Sequence, residues 1–142
     1  MNQVLLSSVK MDWRTPQPFF DILNSEFNFN LDPCCDEKNA KCHNHYTQED
    51  NGLQQDWTGS TVFVNPPYGR EIGKWVKKCY EESLKPNTRV VMLIPSRTDT
   101  SYFHDYILGK SEIRFLRGRI KFWDDDNNPK DPAPFPSMVV IY

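Results

Sequence analysis

The chain has 142 residues, of which 17 are basic and 19 acidic, and its formal net charge is −2. This length predicts a single domain over residues 1–142, with a buried core and little room for an appended recognition domain. The charge balance excludes tight adhesion to polyanions by bulk attraction, and no apolar stretch is long enough to suggest a membrane partner. The four cysteines are expected to be thiols, because no secretory signal is visible.

The first part of the chain predicts one helix and one strand. Apolar residues from Phe19 to Phe27 recur at helical spacing, with Pro16 and Pro18 near the first turn. Residues 27–31 alternate between apolar and polar and stop at Asp32-Pro33, which predicts a strand that ends in a turn. Residues 34–59 are polar and irregular.

The middle of the chain predicts two inner strands and two helices. Residues 61–64 and 89–94 are β-prone apolar runs, typical of strands that are buried on both faces. Apolar residues at spacings of three and four predict an amphipathic helix over 72–84, and a second helix is expected over 102–107. Strand and helix therefore alternate, which predicts an α/β fold with a mostly parallel sheet.

The last part of the chain predicts a C-terminal antiparallel hairpin. Residues 113–116 and 120–123 form two β-prone segments on either side of Gly118. Residues 124–136 are rich in Asp, Asn and Pro and are expected to form a long loop, in which the acidic run Asp124-Asp125-Asp126 is mobile and solvated. Residues 138–142 predict a terminal strand.

Asn65-Pro66-Pro67-Tyr68 follows the first inner strand directly and carries the clearest chemical signal. The amide oxygen of Asn65 and the carbonyl oxygen of Pro66 can accept hydrogen bonds from one exocyclic amino group, while Tyr68 offers a flat face to a ring. Two such acceptors would return electron density to an aromatic amine, which predicts methyl transfer to it from a sulfonium. The other interpretation is that these residues only end a strand and turn the chain.

Three strands of the predicted sheet end in polar or Pro-containing segments: Asp32-Pro33, Asn65-Pro66-Pro67-Tyr68 and Pro95-Ser96-Arg97. Ligands of parallel sheets bind beyond the carboxyl ends of the strands, so we expect these segments to share one rim. Residues 96–100 are expected either to contact a base or to cap a helix. In the second case Thr98 or Asp99 would be the capping residue.

A noncatalytic alternative comes from Cys34, Cys35, Cys42 and His43, which could ligate zinc and hold together a nucleic-acid-binding module. Adjacent cysteines seldom bind one tetrahedral ion together, and no paired C-x2-C halves are present, so the favoured prediction has no metal. Cys79 falls on the apolar face of its helix and is expected to pack in the core.

Several motifs recur in one order along nearly the whole chain: Trp13-Arg14-Thr15-Pro16, Phe29-Asn30-Leu31-Asp32-Pro33-Cys34, Gly52-Leu53, Asp56-Trp57, Val64-Asn65-Pro66-Pro67-Tyr68-Gly69, Trp75, Leu93-Ile94-Pro95 and Gly118-Arg119-Ile120-Lys121-Phe122. In this succession the chain resembles the phage-type DNA N6-adenine methyltransferases, often called the phage Dam family. The resemblance implies a compact Rossmann-like class I methyltransferase sheet that lacks some peripheral strands. It also implies an S-adenosylmethionine-dependent enzyme that methylates the N6 amino group of adenine in double-stranded DNA.

The resemblance further implies a cytoplasmic, phage- or prophage-encoded protein that acts in a bacterial host cell. Amino-methyltransferases that modify RNA or protein glutamine also carry Asn-Pro-Pro-Tyr, and they remain the alternative within the enzymes. The glycine-rich turn that usually follows the first strand is absent here, and Asp32-Pro33-Cys34-Cys35 stands in its place.

The resemblance also assigns roles to single residues. Asn65 and Pro66 would hold the target amino group, Pro67 would stiffen the loop, and Tyr68 and Phe122 would stack on the two faces of the extruded adenine. The cofactor would be bound by Thr15, Pro16, Asp32, Pro33, Cys34, Asp56 and Trp57, with Glu37 or Asn39 as candidates for its ribose. Apart from the resemblance, two basic clusters are expected to flank the rim and hold DNA phosphates, namely Arg70, Lys74 and Lys77 after the Tyr68 loop and Arg119 and Lys121 in the predicted hairpin. The alternative for either cluster alone is a solvated surface.

Overall fold

The computed structural model describes residues 13–142. The α-helices in this range are α1 (Gln17–Phe27), α2 (Ile72–Ser83) and α3 (Ser101–Tyr106), and a 3₁₀ turn covers Gly52–Gln54. The strands are β1 (Thr61–Val64), β2 (Arg89–Pro95), β3 (Glu112–Phe115) and β4 (Ser137–Ile141). None of the helices in the described range could cross a bilayer, given their length and polarity.

The strands form one sheet in the order β1-β2-β4-β3. β1 and β2 pair in parallel with Val64 opposite Met92, while β4 is antiparallel to both β2 and β3. β1, β2 and β3 therefore point in one direction, and β4 runs against them. The predicted α/β fold is confirmed, but the sheet is mixed: among the described strands one pairing is parallel and two are antiparallel, because β4 lies between β2 and β3 and runs against both.

The predicted hairpin over 113–123 is wrong. β3 pairs with β4 instead, and Trp123 makes only isolated bridges with Arg14 and Pro129. The physical reason lies in Phe122, which is fully buried against the rings of Trp13, Tyr68 and Phe135. The segment that contains Phe122 therefore contributes a side chain to the core, and β4 forms the backbone hydrogen bonds with β3 in its place.

The predicted strand over 27–31 is shorter than expected. Asn28 adopts the left-handed conformation that closes α1, and the side chain of Asn24 accepts a hydrogen bond from the Phe29 backbone N–H. Only a parallel bridge between Leu31 and Val62 remains, and a second parallel bridge joins Asp32 to His45. A local helix cap therefore competes successfully with the alternating pattern.

Alternate residues of the central strands face two separate cores. Val90, Met92 and Ile94 pack toward α2 and α3, and Cys79 of α2 is buried in the same cluster, which confirms its predicted packing role. Val91 and Leu93 face the opposite side, where α1 and the segment that contains Phe122 cover the sheet. The period of two along β2 therefore builds a sheet between two covering layers.

A buried carboxylate fastens the segment before β1 to α2. Glu82 Oε1 accepts from the backbone N–H of Trp57 at 2.7 Å, while Oε2 lies 3.0 Å from Lys78 Nζ and 2.7 Å from Lys85 Nζ. Lys78 Nζ also donates to the carbonyl of Gln55 and lies over the Trp57 ring. Glu82 thus satisfies a buried backbone donor that no strand or helix would serve.

We predict that Glu82→Ala lowers the free energy of unfolding by about 3 kcal/mol, because it leaves the buried Trp57 N–H without an acceptor and the Lys78 ammonium without its carboxylate. Urea denaturation followed by tryptophan fluorescence measures the change. Glu81→Ala, the neighbouring exposed position on the same helix, is the matched control and is expected to cost less than about 0.5 kcal/mol. Equal stability of the two variants would contradict the role of Glu82.

Candidate active site

A cavity of about 800 Å³ opens at the carboxyl end of β1. Its walls come from the Asn65-Pro66-Pro67-Tyr68 loop, from Trp13 to Thr15, and from the segments before β1 that contain Asp32, Pro33, Cys34 and Gly52. The parallel bridges of Leu31 and Asp32 bring the turn after them to the same end of the sheet as the loop after β1. The expected shared rim is therefore present for these two segments.

The amide of Asn65 has a fixed orientation. Its Nδ2 donates to the carbonyl oxygen of Trp13 at 2.6 Å and to Thr15 Oγ1 at 2.9 Å. A carbonyl oxygen can only accept, so the nitrogen must face Trp13 and the amide oxygen must face away. Asn65 Oδ1 is buried and has no hydrogen-bond partner among residues 13–142. The site therefore holds a desolvated acceptor beside the cavity.

The two prolines extend this acceptor along the chain. Both line the cavity, Pro66 buried and Pro67 exposed. Proline has no N–H, so Pro67 cannot offer a donor to the neighbouring carbonyl groups. Within the described residues, the carbonyl of Pro66 accepts no backbone hydrogen bond. A second acceptor is thus available next to Asn65.

Tyr68 forms a fixed wall of the cavity. Its hydroxyl donates to the carbonyl of Leu93 on β2 at 3.0 Å, and burial raises the pKa of this hydroxyl well above its usual value. The ring meets Phe122 edge to face, with centroids 6.1 Å apart and planes inclined by 82°. Phe122 lies in the core and is not part of the cavity lining. In this arrangement the two rings contact each other and leave no slot for a base between them.

The residues predicted to bind a cofactor divide into two groups. Thr15, Asp32, Pro33 and Cys34 line the cavity, whereas Pro16 caps α1 outside it. Burial raises the pKa of Asp32 to about 6, even though backbone N–H groups of Lys41 and Cys34 donate to its carboxylate at 3.0 and 3.3 Å. This carboxylate therefore shapes the turn that forms the cavity wall.

Asp56 and Trp57 are not part of the cavity lining. Asp56 is exposed and pairs with Lys85 at 3.1 Å, while Trp57 is fully buried and donates from Nε1 to the carbonyl of Gly52 at 3.1 Å. Gly52 in turn packs so closely on Pro33 that an added Cβ would lie 2.0 Å from the Pro33 carbonyl oxygen. Trp57 therefore supports the wall from behind.

Charged residues that the sequence did not single out also line the cavity. Arg14 pairs with Asp36 at 2.6 Å and with Asp125 at 3.2 Å, and Lys38 pairs with Asp126 at 3.3 Å. Asp125 and Asp126 are exposed, in agreement with the solvated acidic run that the sequence predicts, but Asp125 also lines the cavity and both residues form ion pairs. The position of Arg14 beside Thr15 was the available signal, but its partners lie far away in the chain.

The five cations predicted to contact DNA are all exposed and lie outside the cavity lining. Arg70 and Lys74 stand at the start of α2, next to the Tyr68 loop, and Lys77 follows one turn later. Arg119 donates to the carbonyl of Ala133 at 3.2 Å, and Lys121 belongs to the same C-terminal segment. The structure thus leaves these cations accessible to a partner.

The zinc alternative finds no support in the described part of the chain, where no three Cys, His, Asp or Glu side chains come together as a metal site. Burial raises the pKa of the Cys34 and Cys35 thiols, and it raises that of Cys42 to about 12. All are free thiols.

The chain is similar in sequence to known proteins over most of its length. The profile of the family described as "DNA N-6-adenine-methyltransferase (Dam)" matches residues 3–142. The DNA N-6-adenine-methyltransferase of Haemophilus phage HP1 (strain HP1c1) is 32% identical over 134 residues, which cover 92% of this chain and 77% of that protein. The protein of the same name from Escherichia phage T1 is 32% identical over 106 residues, 73% of this chain and 44% of the phage T1 protein.

Asp32 makes stability fall as the pH rises from about 4 to about 6. Its pKa is about 6 in the folded state against an ordinary value of 3.8, so in this window only the folded state holds the proton. Above the window the cost of the buried charge is complete, on the order of 3 kcal/mol. We predict that the free energy of unfolding of the parent falls by about this amount between pH 4 and pH 6.5, and that Asp32→Asn, whose side chain cannot titrate, lacks this fall. Urea denaturation at a series of pH values tests it, and a pH-independent difference would contradict it.

Gly52→Ala is predicted to damage both stability and ligand binding, because the new methyl group would overlap the Pro33 carbonyl and force the cavity wall to move. We expect a loss of about 2 kcal/mol or more in the free energy of unfolding. Gly69→Ala is the matched control, since nothing lies within 4 Å of an added Cβ there. Thermal melting of the two variants measures the difference, and equal melting temperatures would contradict the close packing of Gly52 on Pro33.

Proposed function

The chain belongs to the DNA N-6-adenine-methyltransferase (Dam) family, and on this premise we propose that it transfers a methyl group from S-adenosylmethionine to the N6 amino group of adenine at specific sites in double-stranded DNA. One observation carries the proposal. Trp13 and Thr15 hold the Asn65 amide so that its oxygen is buried, oriented and without a partner in residues 13–142. An amino group that donates a hydrogen bond is the chemical complement of this oxygen.

The sheet supports a Rossmann-like methyltransferase fold. When the parallel bridges are added, the order becomes His45, Leu31, β1, β2, β4 and β3, with β4 alone reversed. In such sheets the ligand occupies the crevice beyond the carboxyl ends of the strands. The cavity lies at this crevice and is bounded by the turn after Leu31 and by the loop after β1.

The charge of the cavity fits the cofactor. Its lining includes six acidic residues, Asp32, Asp36, Glu37, Glu49, Glu71 and Asp125, and three basic ones, Arg14, Lys38 and Lys41. When bound, S-adenosylmethionine supplies a methyl group carried on a sulfonium cation. The acidic excess favours that positive group, and about 800 Å³ is within the usual range of pockets for such ligands.

Thr15, Asp32, Pro33 and Cys34 are the predicted cofactor residues that reach this space, and we assign them to that role. Glu37 and Asn39 also line the cavity, so both remain candidates for the ribose. Glu37 already binds His45 at 2.7 Å, whereas Asn39 Oδ1 accepts from the Asp36 backbone. Trp57 acts instead through its hydrogen bond to Gly52, whereas Asp56 is exposed and pairs with Lys85.

Asn65 and Pro66 do the catalytic work in this proposal. Their oxygens accept the two hydrogens of the adenine amino group, which draws the nitrogen lone pair out of the ring and points it at the methyl donor. A buried acceptor without a partner costs the protein about 1 to 3 kcal/mol, and the substrate amine removes that cost when it binds. Folding thus prepares the acceptor before the substrate arrives.

The target adenine must leave the duplex to reach Asn65, as in other enzymes that act on a base. Tyr68 is held by its bond to Leu93 and gives the base a rigid surface. Phe122 packs behind Tyr68 and fixes its orientation rather than stacking on the opposite face of the base. The arrangement lowers the entropy that the loop would lose on binding.

The distribution of charge separates the base from its backbone. The acidic cavity repels phosphates, while the exposed cations Arg70, Lys74, Lys77, Arg119 and Lys121 attract them at the surface. A neutral base can therefore enter the cavity while its phosphates stay outside. Phosphate contacts of this kind position the duplex and leave sequence recognition to other residues.

The proposal is tested by incubating the purified protein with methyl-labelled S-adenosylmethionine and one of three acceptors: duplex DNA, RNA or a glutamine-containing protein. Label is expected only in DNA, and digestion to nucleosides should place it on the adenine N6 position. Labelling of RNA or protein in place of DNA would contradict the proposal and indicate an amino-methyltransferase that modifies RNA or protein glutamine.

Asn65→Ala is predicted to lower kcat by about a hundredfold to a thousandfold, because it removes one acceptor from the reacting amine. Cofactor affinity, measured by calorimetry, should change far less. Asn44→Ala is the matched control, since this exposed amide lies outside the cavity lining. Parental turnover in the Asn65 variant would remove Asn65 from the reaction.

A further inference from the structure

The turn between β2 and α3 reaches the same rim as the catalytic loop. β1 and β2 are parallel, and the Tyr68 hydroxyl binds the Leu93 carbonyl at 3.0 Å near the end of β2. A Cβ placed on Gly73 of α2 would lie 3.9 Å from the ring of Tyr102, so the first turns of α2 and α3 are neighbours. Residues 96–100 therefore stand beside the loop that holds Asn65.

The backbone of this turn is firmly held. Ser96 donates to the Pro136 carbonyl and Arg97 to the Pro95 carbonyl, both at 2.9 Å. Thr100 Oγ1 donates to the Arg97 carbonyl at 2.9 Å and accepts from the Phe103 N–H at 3.3 Å. Thr100 therefore caps α3, and the expectation that Thr98 or Asp99 does so is wrong.

Because Thr100 makes the cap, the side chains of Arg97, Thr98 and Asp99 are left exposed on a rigid support. None of the three forms an ion pair or side-chain hydrogen bond within residues 13–142. Charged residues around the cavity behave differently, since Arg14, Lys38, Asp36 and Asp125 are all engaged with one another or with neighbours. The turn thus presents unused donors and acceptors next to the site.

The acidic side chain of Asp99 restricts which part of DNA could contact this turn. Arg70 and Lys74 on the neighbouring α2 turn suit phosphates, whereas Asp99 would repel them. A carboxylate next to DNA is favourable where it accepts a hydrogen bond from a base amino group, most often that of cytosine. An Arg fork is the common partner of guanine O6 and N7. Arg97 and Asp99 together match the two bases of a G·C pair.

Resting on the proposed function, we propose that the Arg97-Thr98-Asp99 turn reads a G·C base pair beside the target adenine, with Arg97 on the guanine. The turn is rigid, so its side chains lose little backbone entropy when they bind. It supplies the sequence recognition that the phosphate-binding cations cannot give.

The test maps methylated adenines on random-sequence duplex DNA by direct sequencing for the parent, Arg97→Ala, Arg97→Lys and Asp99→Ala. The parent is expected to prefer guanine at one fixed flanking position. Arg97→Ala should lose about tenfold to a hundredfold in kcat/KM at that site and accept other bases there. Arg97→Lys keeps the charge but loses the fork, so it should also lose the preference. Asp99→Ala should relax selection at the same pair.

Lys110→Ala and Asp105→Ala are the matched controls, because these exposed charges lie toward the other end of α3. They should keep the parental preference and rate. An unchanged preference in Arg97→Ala, or a uniform loss of affinity for every sequence, would overturn the inference and leave the methyltransferase intact. A parent protein that methylates no adenine would overturn the proposed function together with the inference.

Discussion

The candidate active site depends on the hydrogen bonds that join Asn65 to Trp13 and Thr15. They join the segment before α1 to the loop after β1 and orient the amide so that its oxygen faces away from Trp13. The same segment is anchored on its other side, because the backbone of Arg14 bridges Trp123. Displacement of the segment before α1 would therefore release Asn65 without touching the catalytic loop.

Electrostatics divides the surface into two zones with different tasks. The cavity carries an acidic excess held in place by ion pairs such as Arg14 with Asp36, whereas the exposed cations lie outside its lining. A chain with a net charge of −2 can therefore approach DNA only locally. The proposed transfer of a methyl group from a cationic donor to a neutral base would use this division, because the acidic cavity repels phosphates.

Trp57 belongs to a motif that predicts contact with a ligand, but in the structure it supports the cavity wall and does not line the cavity. Trp57 is fully buried and bonds to Gly52, whose missing side chain lets it pack on Pro33. Glu82 holds the Trp57 backbone in turn. Residues of a motif can therefore be required without touching a ligand. Gly52 must pack closely on Pro33 to form the cavity wall, and Trp57 holds Gly52 in that position.

By itself the sequence determined the α/β order, the buried face of α2 with Cys79, and the position of Asn65-Pro66-Pro67-Tyr68 after an inner strand, because these features follow from local periodicity. Local patterns misjudged Phe122, whose β-prone segment fills the core, and did not show that Asp125 pairs with a residue 111 positions away. Only the tertiary structure decided the orientation of the Asn65 amide, since Trp13 and Thr15 lie 52 and 50 positions away. Hydrogen bonds over such separations depend on where folding brings each group, and no short-range pattern encodes that distance.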